Sequence, residues 1–116
     1  MAPRSDTGDL LQGTLGILIL KSLLAGPSHG YGVARWVEET TDDVLRIEEG
    51  SLYPALRRLE DRGWVRSEWG ISENNRRARF YSITAAGRAH LRAEAGVWLR
   101  YAGAVTRVLH ATPALS

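Results

Sequence analysis

The chain contains 116 residues, of which 44% are hydrophobic, and carries a formal net charge of only +2. This length is enough for one hydrophobic core and predicts a single domain. The absence of cysteine excludes disulfides and thiolate metal sites. The N-terminus lacks the basic and apolar segments of a signal peptide, and no apolar run approaches the roughly twenty residues of a spanning helix. We therefore expect a soluble, cytoplasmic protein without membrane contact.

The basic residues are concentrated in the second half of the chain. Residues 1–45 hold three basic and six acidic side chains, residues 46–79 hold eight and six, and residues 80–116 hold four and one. A local excess of positive charge in a nearly neutral protein favours an acidic partner, such as nucleic acid, at that part of the chain.

The first predicted element is a strongly apolar helix. We expect residues 1–8 to form a disordered arm, because they show no apolar period. Asp9 begins a capping-box pattern, which predicts a helix from there to about Ala25. Gly26 and Pro27 then end this helix, with the glycine in the left-handed cap position. The apolar side chains lie almost all round the helix, so part of its surface is predicted to meet a second subunit.

A second helix is predicted to begin after Ser28, its expected N-cap, and to run to about Thr40. Two glycines in its first turn, Gly30 and Gly32, each cost about 1 kcal/mol relative to alanine, which predicts a close approach by another backbone. That backbone is either the first helix or a DNA phosphate at the helix N-terminus, and the pattern leaves both open. The expected core residues of this helix are Val33, Ala34 and Val37.

The third helix has the most informative pattern. It follows a connector at residues 42–49, in which residues 44–47 are compatible with a short strand, and it ends at Gly63. Its apolar stripe has i, i+3, i+4, i+7 spacing and consists of Leu52, Ala55, Leu56 and Leu59. The opposite face carries Tyr53, Pro54, Arg57 and Asp61, with Arg58 at its flank. A helix that enters a DNA groove needs such a buried stripe backed by a cationic, hydrogen-bonding face.

A hairpin and a long helix complete the chain. Residues 64–69 alternate as a half-buried strand does, residues 70–77 form the predicted tip, and residues 79–83 form the returning strand. Thr84 caps a final helix over residues 85–110, about 39 Å long. The seam of that helix has the spacing of a helix pair and consists of Leu91, Glu94, Trp98, Tyr101, Val105 and Val108.

This order of elements predicts a winged helix-turn-helix. We assign the DNA-binding domain to residues 9–84, a dimerisation helix to residues 85–110 and a tail to residues 111–116. The fold class is mainly α with a small β-hairpin wing (α+β).

Four segments carry a resemblance to a known family. They are residues 10–15 (LLQGTL), 29–32 (HGYG), 50–60 (GSLYPALRRLE) and 81–87 (YSITAAG). In this order they resemble the PadR family of bacterial transcriptional regulators, in its short form. The resemblance implies a homodimer whose two winged helices bind a palindromic operator in double-stranded DNA, usually as a repressor released by a small molecule. The chain stops shortly after the final helix, so we expect no separate effector domain.

Ten residues are candidates for DNA contact, since they expose hydrogen-bonding, cationic or ring surface on the third helix, the wing and the start of the second helix. They are Tyr31, Ser51, Tyr53, Pro54, Arg57, Arg58, Asn75, Arg76, Arg77 and Arg79. We expect Pro54 to be tolerated because the early N–H groups of a helix lack intrahelical partners. The competing explanations are a solvated arginine face, a plain polar turn at the hairpin tip and a packing role for Tyr31.

The first and last helices supply the candidate dimer interface. Its predicted members are Leu11, Leu15, Leu18, Leu91, Trp98, Tyr101, Val105 and Val108. Trp98 and Tyr101 are also candidates for binding a flat aromatic effector. Interface packing alone is the competing explanation for Trp98.

Catalysis finds little support in the sequence. His29, His90 and His110 are scattered, and His90 with Glu94 at i, i+4 is better explained as a surface pair than as a metal site. We expect no enzyme, cofactor or metal. Two alternatives to operator recognition stay open: a winged helix used for protein–protein contact and one that binds RNA.

Overall fold

The computed structural model describes residues 6–114 and contains four α-helices and a three-stranded antiparallel sheet in that part of the chain. The helices are α1 (Asp6–Ser22), α2 (Gly30–Thr40), α3 (Glu49–Asp61) and α4 (Ala85–His110), and a short 3-10 segment (Leu23–Ala25) follows α1. The strands are β1 (Ser28–His29), β2 (Val65–Ile71) and β3 (Arg77–Ile83). The predicted winged helix-turn-helix is confirmed, with the β2–β3 hairpin as its wing.

The sheet extends the wing beyond the core. β3 is the central strand, with β1 and β2 on its two sides. Val65 lies opposite Ile83, and Trp69 lies opposite Arg79 further out. Because side chains alternate along a strand, Val65, Tyr81 and Trp69 lie on the same face of the sheet. Val65 and Tyr81 are buried, whereas Trp69 is 56% exposed, so only the inner half of this face rests on the core.

The core is formed mainly by α1, α2 and α3. Its fully buried large side chains are Ile19, Leu20, Leu23, Val33, Val37, Leu52, Leu56 and Val65. Burial of one such side chain contributes roughly 1.5–3 kcal/mol relative to leaving it exposed. Ala34, Ala55 and Leu59 are buried as well, so the stripes predicted for α2 and α3 are confirmed.

The start of α1 differs from the prediction. The helix begins at Asp6, so the arm predicted over residues 1–8 is wrong for residues 6–8, and residues 1–5 lie outside the described part of the chain. Asp9 lies within the helix and is therefore not its N-cap. Acidic residues are favourable throughout a first helical turn, so sequence alone did not distinguish a start at Asp6 from one at Asp9.

The α1–α2 junction is also built differently. Ser28 is not the N-cap of α2, because it pairs with Tyr81 in the sheet. His29 caps α2 instead, and its Nδ1 accepts a hydrogen bond from the Gly32 N–H at 3.0 Å. Gly26 has a φ of +144° with an extended ψ. Glycine adopts this conformation readily, but it is not the left-handed helical conformation we predicted.

The connector between α2 and α3 contains no strand. Its N–H groups find side-chain acceptors instead of a sheet partner: the Leu45 N–H donates to Thr41 Oγ1 at 3.1 Å, and the Ile47 N–H donates to Glu38 Oε2 at 3.2 Å. Both neighbours of the central strand are already occupied by β1 and β2. The short strand suggested for residues 44–47 is therefore wrong, although Ile47 is buried in the hydrophobic core.

The wing is longer than predicted. Its strands reach Ile71 and resume at Arg77, which leaves residues 72–76 as the tip. The Ser72 N–H donates to the Arg76 carbonyl at 2.8 Å, and Asn75 has a φ of +59°. Asparagine tolerates this left-handed conformation better than most residues, which accounts for its place in the turn.

The last helix has the predicted bounds and is anchored at its start. The Gly87 N–H donates to Thr84 Oγ1 at 3.0 Å, so Thr84 is the N-cap. Leu91 is buried, and Ala95 packs against the same core. Beyond residue 96 the helix is largely exposed, and the described chain extends 65 Å along its longest axis. None of the helices in residues 6–114 is long and apolar enough to cross a membrane.

Candidate nucleic-acid interface

The exposed face of α3 carries the residues predicted for DNA contact. Its five candidates all lie on the surface: Ser51, Tyr53, Pro54, Arg57 and Arg58. The buried stripe of the same helix holds this face at a fixed orientation on the core. The result is a helix that exposes its arginines on the side opposite its buried stripe.

Pro54 is accommodated in a different way from the one we predicted. The intrahelical hydrogen bonds of α3 begin at Leu52, whose N–H donates to the Glu48 carbonyl at 2.9 Å. Pro54 lies beyond this first turn, so it removes a bond that a residue at this position would donate to the Gly50 carbonyl. Gly50 is exposed, so water can satisfy its carbonyl.

Tyr53 connects α3 with α2. A Cβ added at Gly30 would lie 2.8 Å from the Tyr53 hydroxyl oxygen, and at Gly32 it would collide with Ser28 Oγ. The close approach at these two glycines is therefore made by side chains and not by the first helix, which corrects that alternative. The phosphate contact stays a prediction. Tyr53 remains 45% exposed, so its outer edge is available to a ligand.

A groove of about 860 Å³ separates the wing from α2 and α3. The predicted residues Tyr31, Tyr53, Arg76, Arg77 and Arg79 line it, and Asn75 is exposed beside it at the wing tip. Tyr31 is 62% exposed, which argues against a purely internal packing role. The structure thus brings candidates from three elements around one groove, whereas Ser51, Pro54, Arg57 and Arg58 are not among its lining residues.

Arg35 and Trp69 also line this groove, although neither was predicted for DNA contact. Arg35 lies one helical turn after Tyr31, with its guanidinium carbon 5.7 Å from the Tyr31 ring centroid, and it forms an ion pair with Glu39 at 2.6 Å. Trp69 was expected to be half-buried in an alternating strand, but the wing carries it beyond the core. The i, i+4 spacing of Tyr31 and Arg35 was the available signal for the first, whereas no signal marked the second.

Two residues of the groove have shifted pKa values. The hydrogen bond to Glu39 raises the pKa of Arg35 above its ordinary value, with a further contribution from Tyr31. Burial raises the pKa of the Tyr81 phenol, and Arg79 acts in the opposite direction. Arg35 therefore remains a cation and Tyr81 remains neutral at physiological pH, so neither changes the groove's charge there.

The wing arginines do not share one environment. Arg77 lies over the Trp69 ring, with its guanidinium carbon 4.5 Å from the ring centroid. Arg79 donates from Nε to Ser67 Oγ at 2.8 Å, and its Nη2 lies 3.7 Å from Glu60 Oε2. Arg79 is thus engaged within the protein, which distinguishes it from the other predicted wing contacts.

His29 and His90 both make contacts within the protein. The His29 Nδ1 accepts a hydrogen bond, so the neutral ring carries its proton on Nε2, 3.7 Å from Glu73 Oε1. His90 stacks on Trp64, with ring centroids 3.6 Å apart and an interplanar angle of 11°. Within residues 6–114 no three potential ligands form a metal site.

A second cavity of about 340 Å³ lies between α1 and α4. Trp98 and Tyr101, the predicted effector residues, line it together with His90 and Glu94 on α4 and Ile17 on α1. The volume is at the lower end of the range for small-molecule sites. Trp98 is 44% exposed, so part of its ring surface is available to a ligand or to another protein chain.

The eight predicted dimer residues fall into two groups. Leu15 and Leu91 are buried in the core of the single chain and have almost no surface left for a partner, which corrects their assignment. Leu11 and Leu18 are half-buried at the edge of that core. The other four are exposed on α4: Trp98, Tyr101, Val105 and Val108.

Comparison with known proteins places the chain among transcriptional regulators. The profile described as "Transcriptional regulator PadR-like family" matches residues 19–93. The fold is similar to a transcriptional regulator from Clostridium thermocellum, with a TM-score of 0.77 and 29% identity over 85% of this chain and 96% of that one. A PadR family regulator from Eggerthella lenta has a TM-score of 0.76 and 29% identity, with coverages of 91% and 90%. "Uncharacterized protein X" from Lysinibacillus sphaericus is 28% identical over 83 residues, or 72% of this chain and 76% of that protein.

Proposed function

The chain belongs to the PadR-like family of transcriptional regulators, and we propose that it acts as a homodimer that binds a palindromic operator and represses transcription. Members of this family are DNA-binding regulators and not enzymes. The observation that carries the proposal is the joint exposure of Tyr53, Arg57 and Arg58 on α3, with Tyr53 in the groove that the wing arginines also line. Side chains of this kind bind phosphates and base edges.

The positions of these side chains suit them to different parts of the DNA. Arg57, near the middle of α3, suits a bidentate contact to guanine when the helix lies in the major groove. Arg76 and Arg77, at the wing, suit phosphates or an adjacent minor groove. Arg35, the cation on α2, lies close enough to this surface to join the phosphate contacts.

The proposed dimer rests on the unburied apolar surface of α4. Its exposed members include Val97, Trp98, Leu99, Tyr101, Val105, Val108 and Leu109. Such a row of large apolar side chains is unusual on a monomer surface and typical of a subunit interface. A two-fold axis would use the same surface of both chains and would present two α3 helices to half-sites one DNA turn apart.

The test of this function is a competition experiment on the purified protein. Fragments of its own genome are selected for binding, and the recovered duplex is then competed with unlabelled duplex DNA and with structured RNA. We expect a recovered motif with two inverted half-sites, and competition by the duplex alone. Stronger competition by the RNA, or recovery of no motif, would contradict operator recognition.

We further propose that a flat aromatic molecule binds the α1–α4 cavity and relieves repression. Trp98 and Tyr101 offer ring surface for stacking, and Glu94 is the acidic side chain on the cavity lining. A ligand that binds one arrangement of the two subunits better than another shifts their population away from the DNA-competent form.

Trp98→Ala is expected to abolish binding of planar aromatic dyes, measured by calorimetry, while operator affinity stays within a few-fold of the unchanged protein. Trp36→Ala is the matched control, because Trp36 is a similarly exposed tryptophan on α2, outside this cavity. If Trp98→Ala dissociates the dimer in sedimentation measurements, Trp98 is an interface residue and the effector proposal is wrong.

A further inference from the structure

Four side chains connect the end of α3 with the wing. Ser67 Oγ on β2 donates to Glu60 Oε2 on α3 at 2.7 Å and accepts from Arg79 Nε on β3 at 2.8 Å. The guanidinium of Arg79 also lies 3.7 Å from Glu60 Oε2 and 5.5 Å from the ring centroid of Trp69. We call these four residues, Glu60, Ser67, Trp69 and Arg79, the wing clamp.

The wing needs such a connection because the core supports only its inner half. A two-stranded hairpin is at best marginally stable without packing against other elements. Beyond Tyr81, the face of the wing that continues from the core carries Trp69 and Ile71, which are both exposed. The angle between the outer wing and α3 therefore depends on side chains that bridge the two elements.

The negative charge of Glu60 is at an unfavourable position unless Ser67 and Arg79 compensate for it. It lies in the last turn of α3, where the helix dipole disfavours a negative charge. It is also an acidic side chain close to a surface that is proposed to meet phosphates. Its short hydrogen bond to Ser67 and its ion pair with Arg79 offset both effects within the protein.

Arg79 also differs from its neighbours on the wing. Within the described residues, the side chains of Arg76 and Arg77 have no hydrogen bond or ion pair with another side chain, so their charges remain available. The Arg79 side chain is 44% exposed, yet its donors already face Ser67 and Glu60. A phosphate would have to compete with these two acceptors.

We propose that Arg79 is a positioning residue, not a DNA contact: through Ser67 and Glu60 it holds the wing at a fixed angle to α3. This inference rests on the proposed DNA-binding function and deepens it. A wing fixed in advance lets Arg76 and Arg77 reach the backbone while α3 occupies the groove, without loss of conformational freedom on binding. Trp69, whose ring is approached by both Arg77 and Arg79, completes the connection from the clamp to a contacting arginine.

Salt titration separates positioning from contact. We expect Arg79→Ala to lower operator affinity by about tenfold and to leave the slope of log Kobs against log salt unchanged. Arg77→Ala, the matched variant two residues away, should reduce the slope by about one. An equal reduction of the slope by Arg79→Ala would overturn the proposal.

The two possible roles of Arg79 predict opposite changes in operator affinity for a Glu60 variant. If Arg79 contacted DNA, Glu60→Ala would remove a competing acid and raise operator affinity. The clamp predicts lower affinity for Glu60→Ala and no additional loss in the Glu60→Ala, Arg79→Ala double variant. Arg79→Lys, which keeps the charge but lacks the Nε–H donor, should resemble Arg79→Ala. Higher affinity for Glu60→Ala, or full binding by Arg79→Lys, contradicts the clamp.

A measurement without DNA keeps the two proposals distinguishable. Amide hydrogen exchange in the outer parts of β2 and β3 should be faster in Arg79→Ala than in the unchanged protein, and unaltered in Arg76→Ala. Failure of the unchanged protein to bind duplex DNA would reject the proposed function and leave this result standing. Unaltered exchange in Arg79→Ala would reject the clamp alone.

Discussion

The triple variant Arg57→Ala, Arg76→Ala, Arg77→Ala is expected to lose operator binding by roughly a thousandfold or more. Arg57→Ala alone should cost about 1–3 kcal/mol and relax the sequence preference, if this side chain reads a base. Arg76→Ala and Arg77→Ala should weaken binding to all sequences alike and flatten the salt dependence, because each removes a cation that displaces counterions from the DNA. Electrophoretic or fluorescence titration at several salt concentrations measures both effects.

The matched control removes three arginines from α4 instead. Arg88, Arg92 and Arg107 are exposed, lie outside the groove beside the wing, and give the same change in net charge. The α4 triple variant should therefore retain most of its operator affinity. Unchanged affinity in the α3-and-wing variant would mean that DNA binds another surface.

The second large effect is expected at α4. The double variant Val105→Glu, Val108→Glu should dissociate the proposed dimer, with its dissociation constant raised by about a hundredfold or more, because each glutamate would have to be buried without a partner. Operator affinity should fall with it, since two half-sites are bound together only while the subunits are joined. Sedimentation equilibrium measures the first effect and DNA titration the second.

The same helix offers a control. At 100° per residue, Gly103 and His110 lie on the side of α4 opposite Val105, and both are exposed. Gly103→Glu with His110→Glu adds the same charge to that opposite side and should leave the dimer intact. A monomeric unchanged protein, or equal dissociation by both double variants, would reject α4 as the interface.

Hydrophobic period accounts for most of what the sequence predicted correctly. The stripes of α2 and α3 have spacings that only a helix places on one face, and Leu52 and Leu56 are indeed fully buried. The length of α4 followed from its N-cap, Thr84, and the pattern after it. In the same way, the exposed face of α3 was predictable because burial of one stripe determines which side chains remain outside.

The errors arise where tertiary contacts choose between equivalent local patterns. Ser28 and His29 can both cap a helix, and the pairing of Ser28 with β3 decides in favour of His29. Leu91 fits a helix seam equally well, but the first turns of α4 pack on the core, and Leu91 is buried there. The separate environment of Arg79 depends on Glu60 and Ser67, which are distant from it in sequence, so no local pattern indicated it.

The start of α4 is joined to the segment that follows α3 by contacts with its backbone, which would couple movements of the two. Thr84 donates a hydrogen bond to the Gly63 carbonyl at 2.6 Å, and its N–H donates to the Trp64 carbonyl at 3.0 Å. A Cβ at Gly87 would collide with that same Trp64 oxygen, so the backbones are in close contact.

Because of these contacts, we expect the winged helix and the base of α4 to turn together. Because α4 is about 39 Å long, a rotation of roughly 5° at its base displaces its far end by about 3 Å. The relation also works in reverse in the proposed dimer, where a small change in how two α4 helices cross would re-aim both recognition helices. Gly87 makes this coupling possible, because its lack of a side chain lets the α4 backbone lie directly against the Trp64 carbonyl.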